Sequence, residues 1–275
     1  MRTEALLLVH FRAVSPQKLG QHFLTDAAWR ERIAREIRVD GGVWVEIGAG
    51  HGEMTALLAT RARKVIAVEL DRRLAARLRD VVSDFGNVEI IEGDILALDL
   101  GKLVQGENFS VYGNLPYYIT SPILRRLFDY ADRVAAIHVV VQLEVARRIV
   151  APPGCRDYGY LSVLAQWYSR PELALRIPPG AFRPRPKVAS ALVSLRLPGA
   201  RASVHVADER EFLHFIKECF AQKRKMLRNN LRARLGTRTE QIIREAGLKP
   251  EVRAEQLSIP QFAKVLCLLR ESESV

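Results

Sequence analysis

The sequence predicts an α/β domain, a mostly parallel sheet covered by helices on both faces, followed by a small all-helical domain. Three observations predict it. Short β-rich runs alternate with helical stretches from residue 43 to residue 150. The first run ends in a glycine turn, Glu46-Ile-Gly48-Ala-Gly50-His-Gly52, and carboxylates stand at or just beyond the ends of the next two. Beyond Pro198-Gly199 the strand signals stop.

The elements follow in order. Thr25-Asp26 is a candidate N-cap for a helix through Ile37. Val43–Ile47 is a short apolar run stopped by glycines, which reads as a buried strand. Glu53–Arg63 reads as a helix and Lys64–Glu69 as the second strand, with Asp71 placed to cap a helix to about Ser83. Val88–Ile91, Phe109–Tyr112 and Ile137–Val141 read as the next strands. Pro122 sits in the first turn of one helix, where its missing N–H costs nothing, and a second helix spans Glu144–Val150. Tyr158–Tyr168 looks helical. Leu173–Ile177 and Val188–Leu197 are strands, the latter alternating Ala191, Val193, Leu195 and Leu197 against Ser190, Ser194 and Arg196. Between them Pro178–Pro186 carries four prolines and reads as a stiff loop. Glu209–Ala221, Lys223–Leu235, Thr239–Ala246 and Ile259–Leu269 read as the helices of the second domain. The division expected is therefore 1–199 and 200–275.

The chain has 275 residues, 48% of them hydrophobic and 27% charged, so a disordered or low-complexity protein is excluded. Its formal net charge of +11 favours a polyanionic partner. The charge is concentrated: Lys217–Arg238 holds Lys217, Lys223, Arg224, Lys225, Arg228, Arg232, Arg234 and Arg238 against Glu218 alone. With no other acid in the tract, and with Arg224, Arg228 and Arg232 at helical spacing, it reads as a phosphate-tracking surface. Cys155, Cys219 and Cys267 are too scattered for a zinc or disulfide pattern, which fits a reducing cytoplasm. No apolar run reaches the ~20 residues of a membrane helix. The six histidines lack ligand spacing, so no metal is expected.

The glycine turn lets the backbone approach a ligand closely, with Gly48 and Gly50 as contact positions. A dinucleotide fingerprint of the G-x-G-x-x-G kind would require glycine where Glu53 stands. Glu69 is placed to accept from two ribose hydroxyls, and Asp94 from an adenine amine. Together these residues point to a nucleoside cofactor, with S-adenosylmethionine favoured over NAD.

Asn114-Leu115-Pro116-Tyr117 carries the most specific chemistry. The lone pair of adenine N6 is delocalised into the ring, so the amine is a poor nucleophile. Accepting both of its hydrogens redirects the lone pair. The Asn114 side-chain oxygen and the Leu115 carbonyl can do this, Pro116 fixes the turn, and Tyr117 can stack on the base. In Ala181-Phe-Arg-Pro-Arg-Pro-Lys187, Phe182 could close over a flipped base while Arg183, Arg185 and Lys187 meet phosphates.

These motifs, in this order, resemble the ribosomal RNA adenine N6,N6-dimethyltransferase family, closest to its small-subunit 16S group. The resemblance rests on Gly20–Leu24, Glu46–Gly52, Val68–Asp71, Gly93-Asp94, Asn114–Thr120, Phe182–Val188 and Gln222–Leu231. It implies a Rossmann-like class I S-adenosylmethionine-dependent methyltransferase with seven strands, the last antiparallel, and a helical C-terminal domain that binds rRNA. It implies S-adenosylmethionine near His22, Leu24, Gly48, Glu69, Asp94 and Asn114, and Lys223, Arg224 and Arg228 on the RNA. The expected reaction places two methyl groups on each of two adjacent adenines in the 3′-terminal hairpin of 16S rRNA, within an immature small ribosomal subunit. Three positions depart from the usual pattern: His22 where asparagine is also common, Glu53 after the glycine turn, and Ala189 where aspartate is frequent.

Three alternatives remain open at this point. One is a 23S rRNA methyltransferase of the macrolide-resistance type. Another is a ribosome assembly factor that keeps the fold without turnover. The third, an NAD-dependent oxidoreductase, is disfavoured by Glu53. Nothing in the sequence demands more than a monomer.

Overall fold

The computed structural model describes residues 22–116 and 119–273. In chain order the elements are β1 (Phe23–Leu24), α1 (Ala27–Glu36), β2 (Val43–Ile47), α2 (Glu53–Ala59), β3 (Lys64–Glu69), α3 (Arg72–Val81) and β4 (Val88–Glu92). Then come α4 (Leu100–Leu103), β5 (Phe109–Asn114), α5 (Thr120–Phe128), β6 (Val134–Gln142), α6 (Leu143–Val150), α7 (Tyr160–Tyr168) and β7 (Arg170–Ile177). The chain finishes with β8 (Phe182–Arg183), β9 (Ser190–Arg196), α8 (Glu209–Cys219), α9 (Leu227–Leu235), α10 (Thr239–Glu245) and α11 (Ile259–Glu273). Among the described residues no helix is long and apolar enough to cross a membrane.

Seven strands form one sheet in the order β4-β3-β2-β5-β6-β9-β7. All neighbours pair parallel except β9, which is antiparallel to both β6 and β7. β2 is buried along its whole length, as a central parallel strand between two helical layers must be. On one face Ile33 of α1 and Met54 and Leu58 of α2 pack against Trp44, Tyr112, Val140 and Leu192. The other face carries Val45, Val111, Val139 and Val193 against α4 to α7. Caps fall where side-chain chemistry places them: Asp26 accepts from the Trp29 N–H, and Asp71 from the Arg73 N–H.

The C-terminal helices share that second core without a break. Trp167 packs on Phe212 at 4.7 Å between ring centres. Glu209, at the start of α8, accepts from the Trp167 indole at 3.1 Å and from the Tyr168 hydroxyl at 2.6 Å.

Two expectations need correction. The stretch that reads as a stiff loop contains a strand, β8, which pairs antiparallel with β1, Phe23 with Arg183 and Leu24 with Phe182. Each is two residues long, and so short a ladder leaves no periodicity to read. The helix expected from Lys223 begins at Leu227. Asn230 folds back, its side chain donating to the Cys219 carbonyl and accepting from the Gln222 N–H, and so ties down the turn that precedes the helix. On the polar side of β9, Arg196 at its end is exposed. Ser190 and Ser194 are buried because β9 is an interior strand, and the Ser194 hydroxyl meets Nδ1 of His138 at 2.9 Å.

His138 also stacks on Trp44 and is itself buried. Burial, with Arg196 nearby, pushes its pKa down to about 4. The unfolded chain takes up a proton below about pH 6.5 that the fold refuses. This contribution is complete above that pH and is lost as pH falls toward 4. The expected loss between pH 7 and pH 5 is about 2 kcal/mol. Urea denaturation at the two pH values checks it: His138→Gln should remove about that much of the wild-type difference, and an unchanged difference would contradict the assignment.

Candidate active site

The ladder registers bring four strand ends to one edge. Ile47 pairs with Val68 on one side and Gly113 on the other, and Glu69 pairs with Glu92. The glycine turn after β2, Glu69 ending β3, Gly93-Asp94 after β4 and Asn114 ending β5 therefore line the crevice beyond the carboxyl ends of the strands.

The turn needs its glycines. Gly52 sits at φ +92°, and a Cβ there would lie 2.6 Å from a Leu78 methyl. Gly50 sits at φ +60°, and its Cβ would press on the Phe23 ring at 3.3 Å. The turn is also tied to Glu69: the Gly50 N–H donates to Glu69 Oε2 at 2.8 Å, and the Asp71 N–H to Oε1 at 2.9 Å. One backbone donor on each oxygen fixes the carboxylate and leaves each oxygen further acceptor capacity. Asp94 accepts from the Leu96 N–H at 2.9 Å through Oδ1, which orients its half-buried carboxylate.

Asn114 is half-buried, and its Nδ2 donates to the His22 carbonyl at 2.8 Å. Leu115 buries its side chain in the core, while its N–H donates to the Val140 carbonyl at 3.1 Å. The Pro116 carbonyl accepts from the Ile119 N–H, which leads into α5. Leu24 is buried and pairs with Phe182 across β1 and β8. The expected site thus comes together around His22, the glycine turn, Glu69, Asp94 and Asn114. Tyr117 lies outside the described residues.

Two expectations about substrate contact change. Phe182 has no exposed surface; it is packed in the core with Leu24, Trp44 and Tyr112 and presents no free face to a base. Its strand β8 turns the side chain inward, while Arg183, Arg185 and Lys187 stay exposed. The basic tract also has more acidic partners than Glu218. Arg228 pairs with Glu240, Arg234 with Glu211 and Glu218, and Lys223 with Glu255. Folding brings Glu211, Glu240 and Glu255 in from α8, α10 and the segment before α11, which local sequence cannot reveal. Arg224, Lys225 and Arg232 are exposed and make no ion pair among the described residues. Arg224 lies in the turn before α9, so it does not share a helical face with Arg228 and Arg232.

Sequence reasoning passes over Glu46 as a site residue. It is buried in β2, and its Oε2 has no hydrogen-bond partner among the described residues. Desolvation pushes its pKa up to about 8, opposed by the Thr55 hydroxyl and reinforced by Glu69 and Glu53. The signal is in the sequence: an acid inside an otherwise apolar strand, just before the glycine turn. Leu70 and Leu96 also escape it. They are exposed apolar side chains beside Glu69 and Asp94, about half and a third accessible. Leu70 falls in a short polar turn and Leu96 among Ile95, Ala97 and Leu98, and no periodicity marks either.

A family model described as ribosomal RNA adenine dimethylase matches residues 15–271. The chain belongs to the ribosomal RNA adenine dimethylase family. A ribosomal RNA small subunit methyltransferase A of Koribacter versatilis is 41% identical over 269 residues, covering 92% of this chain and 94% of that one. The protein of the same name from Acidobacterium capsulatum is 44% identical over 250 residues, covering 90% and 88%. Among solved structures, a dimethyladenosine transferase from Plasmodium falciparum superposes with a TM-score of 0.76 at 21% identity, covering 92% and 98%. A 23S rRNA methyltransferase, ErmE, gives 0.66 at 28% identity, covering 90% and 99%. The α/β fold with an antiparallel last strand is thus the fold of this dimethylase family.

Glu46 yields a test. The fold keeps its proton between about pH 4.5 and 8, where the unfolded chain has released it. Its contribution to stability is present below that window and is lost as pH rises through it. Glu46→Gln should therefore decline less than wild type in urea-denaturation stability from pH 5 to pH 8. A parallel decline in the two proteins would show that Glu46 ionises normally.

Proposed function

We propose that this dimethylase-family protein transfers methyl groups from S-adenosylmethionine to N6 of two adjacent adenines near the 3′ end of 16S rRNA. The observation that carries the reading is Asn114: its amide nitrogen donates to the His22 carbonyl, so its Oδ1 is the atom we assign as acceptor for the base. The small-subunit methyltransferases named above, at 41% and 44% identity, support 16S rather than 23S rRNA as the target.

The residues fit the cofactor. Glu69 keeps acceptor capacity for ribose hydroxyls, Asp94 for the adenine amine, and Leu70 and Leu96 offer apolar surface to a purine. Positive-φ Gly48 and Gly50 bring backbone close without side chains in the way. Glu46, two residues before Gly48 and with Oε2 unsatisfied among the described residues, is a further polar group at this turn. When bound, S-adenosylmethionine supplies an electrophilic methyl on a sulfonium.

The chain supplies orientation. Asn114 Oδ1 accepts one N6 hydrogen and the Leu115 carbonyl the other, so the nitrogen pyramidalises and its lone pair points at the methyl. No side-chain base is needed, because the amine becomes acidic once alkylated and its proton passes to solvent. Tyr117, next to Pro116, stacks on the extruded base. Residues 1–199 hold the cofactor and the reacting base. Residues 200–275 grip the rRNA of an immature small subunit, with Arg224, Lys225 and Arg232 on phosphates and Arg183, Arg185 and Lys187 on the rim of the crevice. Arg228, paired with Glu240, chiefly holds the helices together.

Two measurements test this. Asn114→Ala should bind small subunits as wild type does while turnover falls about 10²- to 10³-fold, the scale of losing one preorganised polar contact; unchanged turnover would sink the mechanism. Charge reversal at Arg224 and Arg232 should flatten the salt dependence of subunit binding by about 0.7 log units per lost contact. An unchanged slope would make that surface a solvated face and nothing more.

A further inference from the structure

Two short strands meet beside the glycine turn. β1 runs from the edge of Asn114 over the glycine turn, where the Phe23 ring packs on His51 at 4.5 Å. β8 belongs to the proline-rich basic loop and pairs with β1. Further bonds lock the pair. The Thr25 and Asp26 N–H groups both donate to the Ala181 carbonyl at 3.0 and 3.2 Å, and Arg30 donates to the Leu24 carbonyl at 2.9 Å.

His22 joins this strap to the reacting centre at two points. Its ring Nδ1 lies 2.6 Å from the Pro184 carbonyl, and its own carbonyl lies 2.8 Å from Asn114 Nδ2. A carbonyl can only accept. The ring must therefore carry its proton on Nδ1, and the Asn114 amide must present its nitrogen to His22. The opposite amide flip would set two oxygens against each other and direct two N–H donors at a base whose N6 group is itself a donor. One hydrogen bond thus decides whether Asn114 offers the amine an acceptor or a repulsive donor.

We infer that His22 is a positioning residue for methyl transfer: anchored on the Pro184 carbonyl of the basic loop, it fixes the Asn114 amide in the one flip that accepts from the target amine. This rests on the reading that Asn114 receives that amine. It departs from the expectation that His22 serves chiefly to hold the cofactor. It also makes the basic loop part of the catalytic geometry, because the loop that carries Arg183, Arg185 and Lys187 supplies the anchor.

Side-chain chemistry sets which substitutions preserve the anchor. An asparagine at position 22 can place its Nδ2–H where the histidine Nδ1–H stands and reach the same carbonyl. Alanine cannot.

The test compares His22→Ala, His22→Asn and Asn114→Asp, using small subunits that lack the modification. His22→Ala should lower kcat about 10- to 100-fold, the scale of a small misplacement at a reacting centre. The Kd for S-adenosylmethionine, from calorimetry without RNA, should change by a smaller factor than kcat does. His22→Asn should recover most of kcat. Asn114→Asp keeps an acceptor oxygen but cannot donate to the His22 carbonyl, so its kcat should also fall at least about tenfold; this variant decides the matter should His22→Ala fold poorly. Equal losses in His22→Ala and His22→Asn would overturn the inference. So would a His22→Ala defect that disappears at saturating S-adenosylmethionine, or wild-type turnover in Asn114→Asp. Absence of methyl transfer by the wild-type protein would instead defeat the reading of the site. The positioning claim would then be decided by proton exchange at the Asn114 side-chain amide, protected in wild type and His22→Asn and exposed in His22→Ala; equal exchange in all three would overturn it.

Discussion

The placement of β2 between β3 and β5 is the constraint on which the rest depends. β2 is five residues long, wholly buried, and hydrogen-bonded to a parallel neighbour on each side. That register sets Ile47 level with Val68 and Gly113, so the glycine turn, Glu69 and Asn114 emerge at the same height. A one-residue slip of β3 would turn Glu69 to the other face of the sheet. The register is protected by the packing of Trp44 on one face and Val43, Val45 and Ile47 on the other, since a one-residue slip exchanges the two sets. Site geometry here is a consequence of core packing.

Much of this architecture is legible in the residues. The β-branched runs at β2, β3 and β6 mark strands buried on both faces, and Asp26 and Asp71 mark helix starts. The glycines mark a turn that an L-side chain would obstruct, as Gly52 against Leu78 bears out. What escapes reading depends on contacts distant in sequence. β1 and β8 are separated by about 160 residues, and neither is long enough to have a pattern. Phe182 reads as an aromatic on a basic loop, but pairing with Leu24 carries it into the core. Asn230 breaks the expected helix by capturing a carbonyl and an N–H on the far side of a turn.

Charge shows the same division. The sequence places eight cations between Lys217 and Arg238, and composition alone assigns them all to RNA. Tertiary structure divides them. Arg228 and Arg234 meet acids from neighbouring helices and serve the fold, while Arg224, Lys225 and Arg232 remain open to a polyanion. The buried acid Glu46 is the converse case: a charge-bearing residue whose buried surroundings favour its neutral form up to about pH 8.

Every part of this geometry converges on methylation of adenine N6 in the small subunit. The most direct measurement is nucleoside analysis of rRNA after incubating the protein with isotopically labelled S-adenosylmethionine and ribosomal subunits that lack the modification. The expected product is labelled N6,N6-dimethyladenosine confined to the 3′-terminal hairpin of 16S rRNA, at two adjacent positions. Label on large-subunit RNA alone, or tight subunit binding with no label transferred, would contradict it.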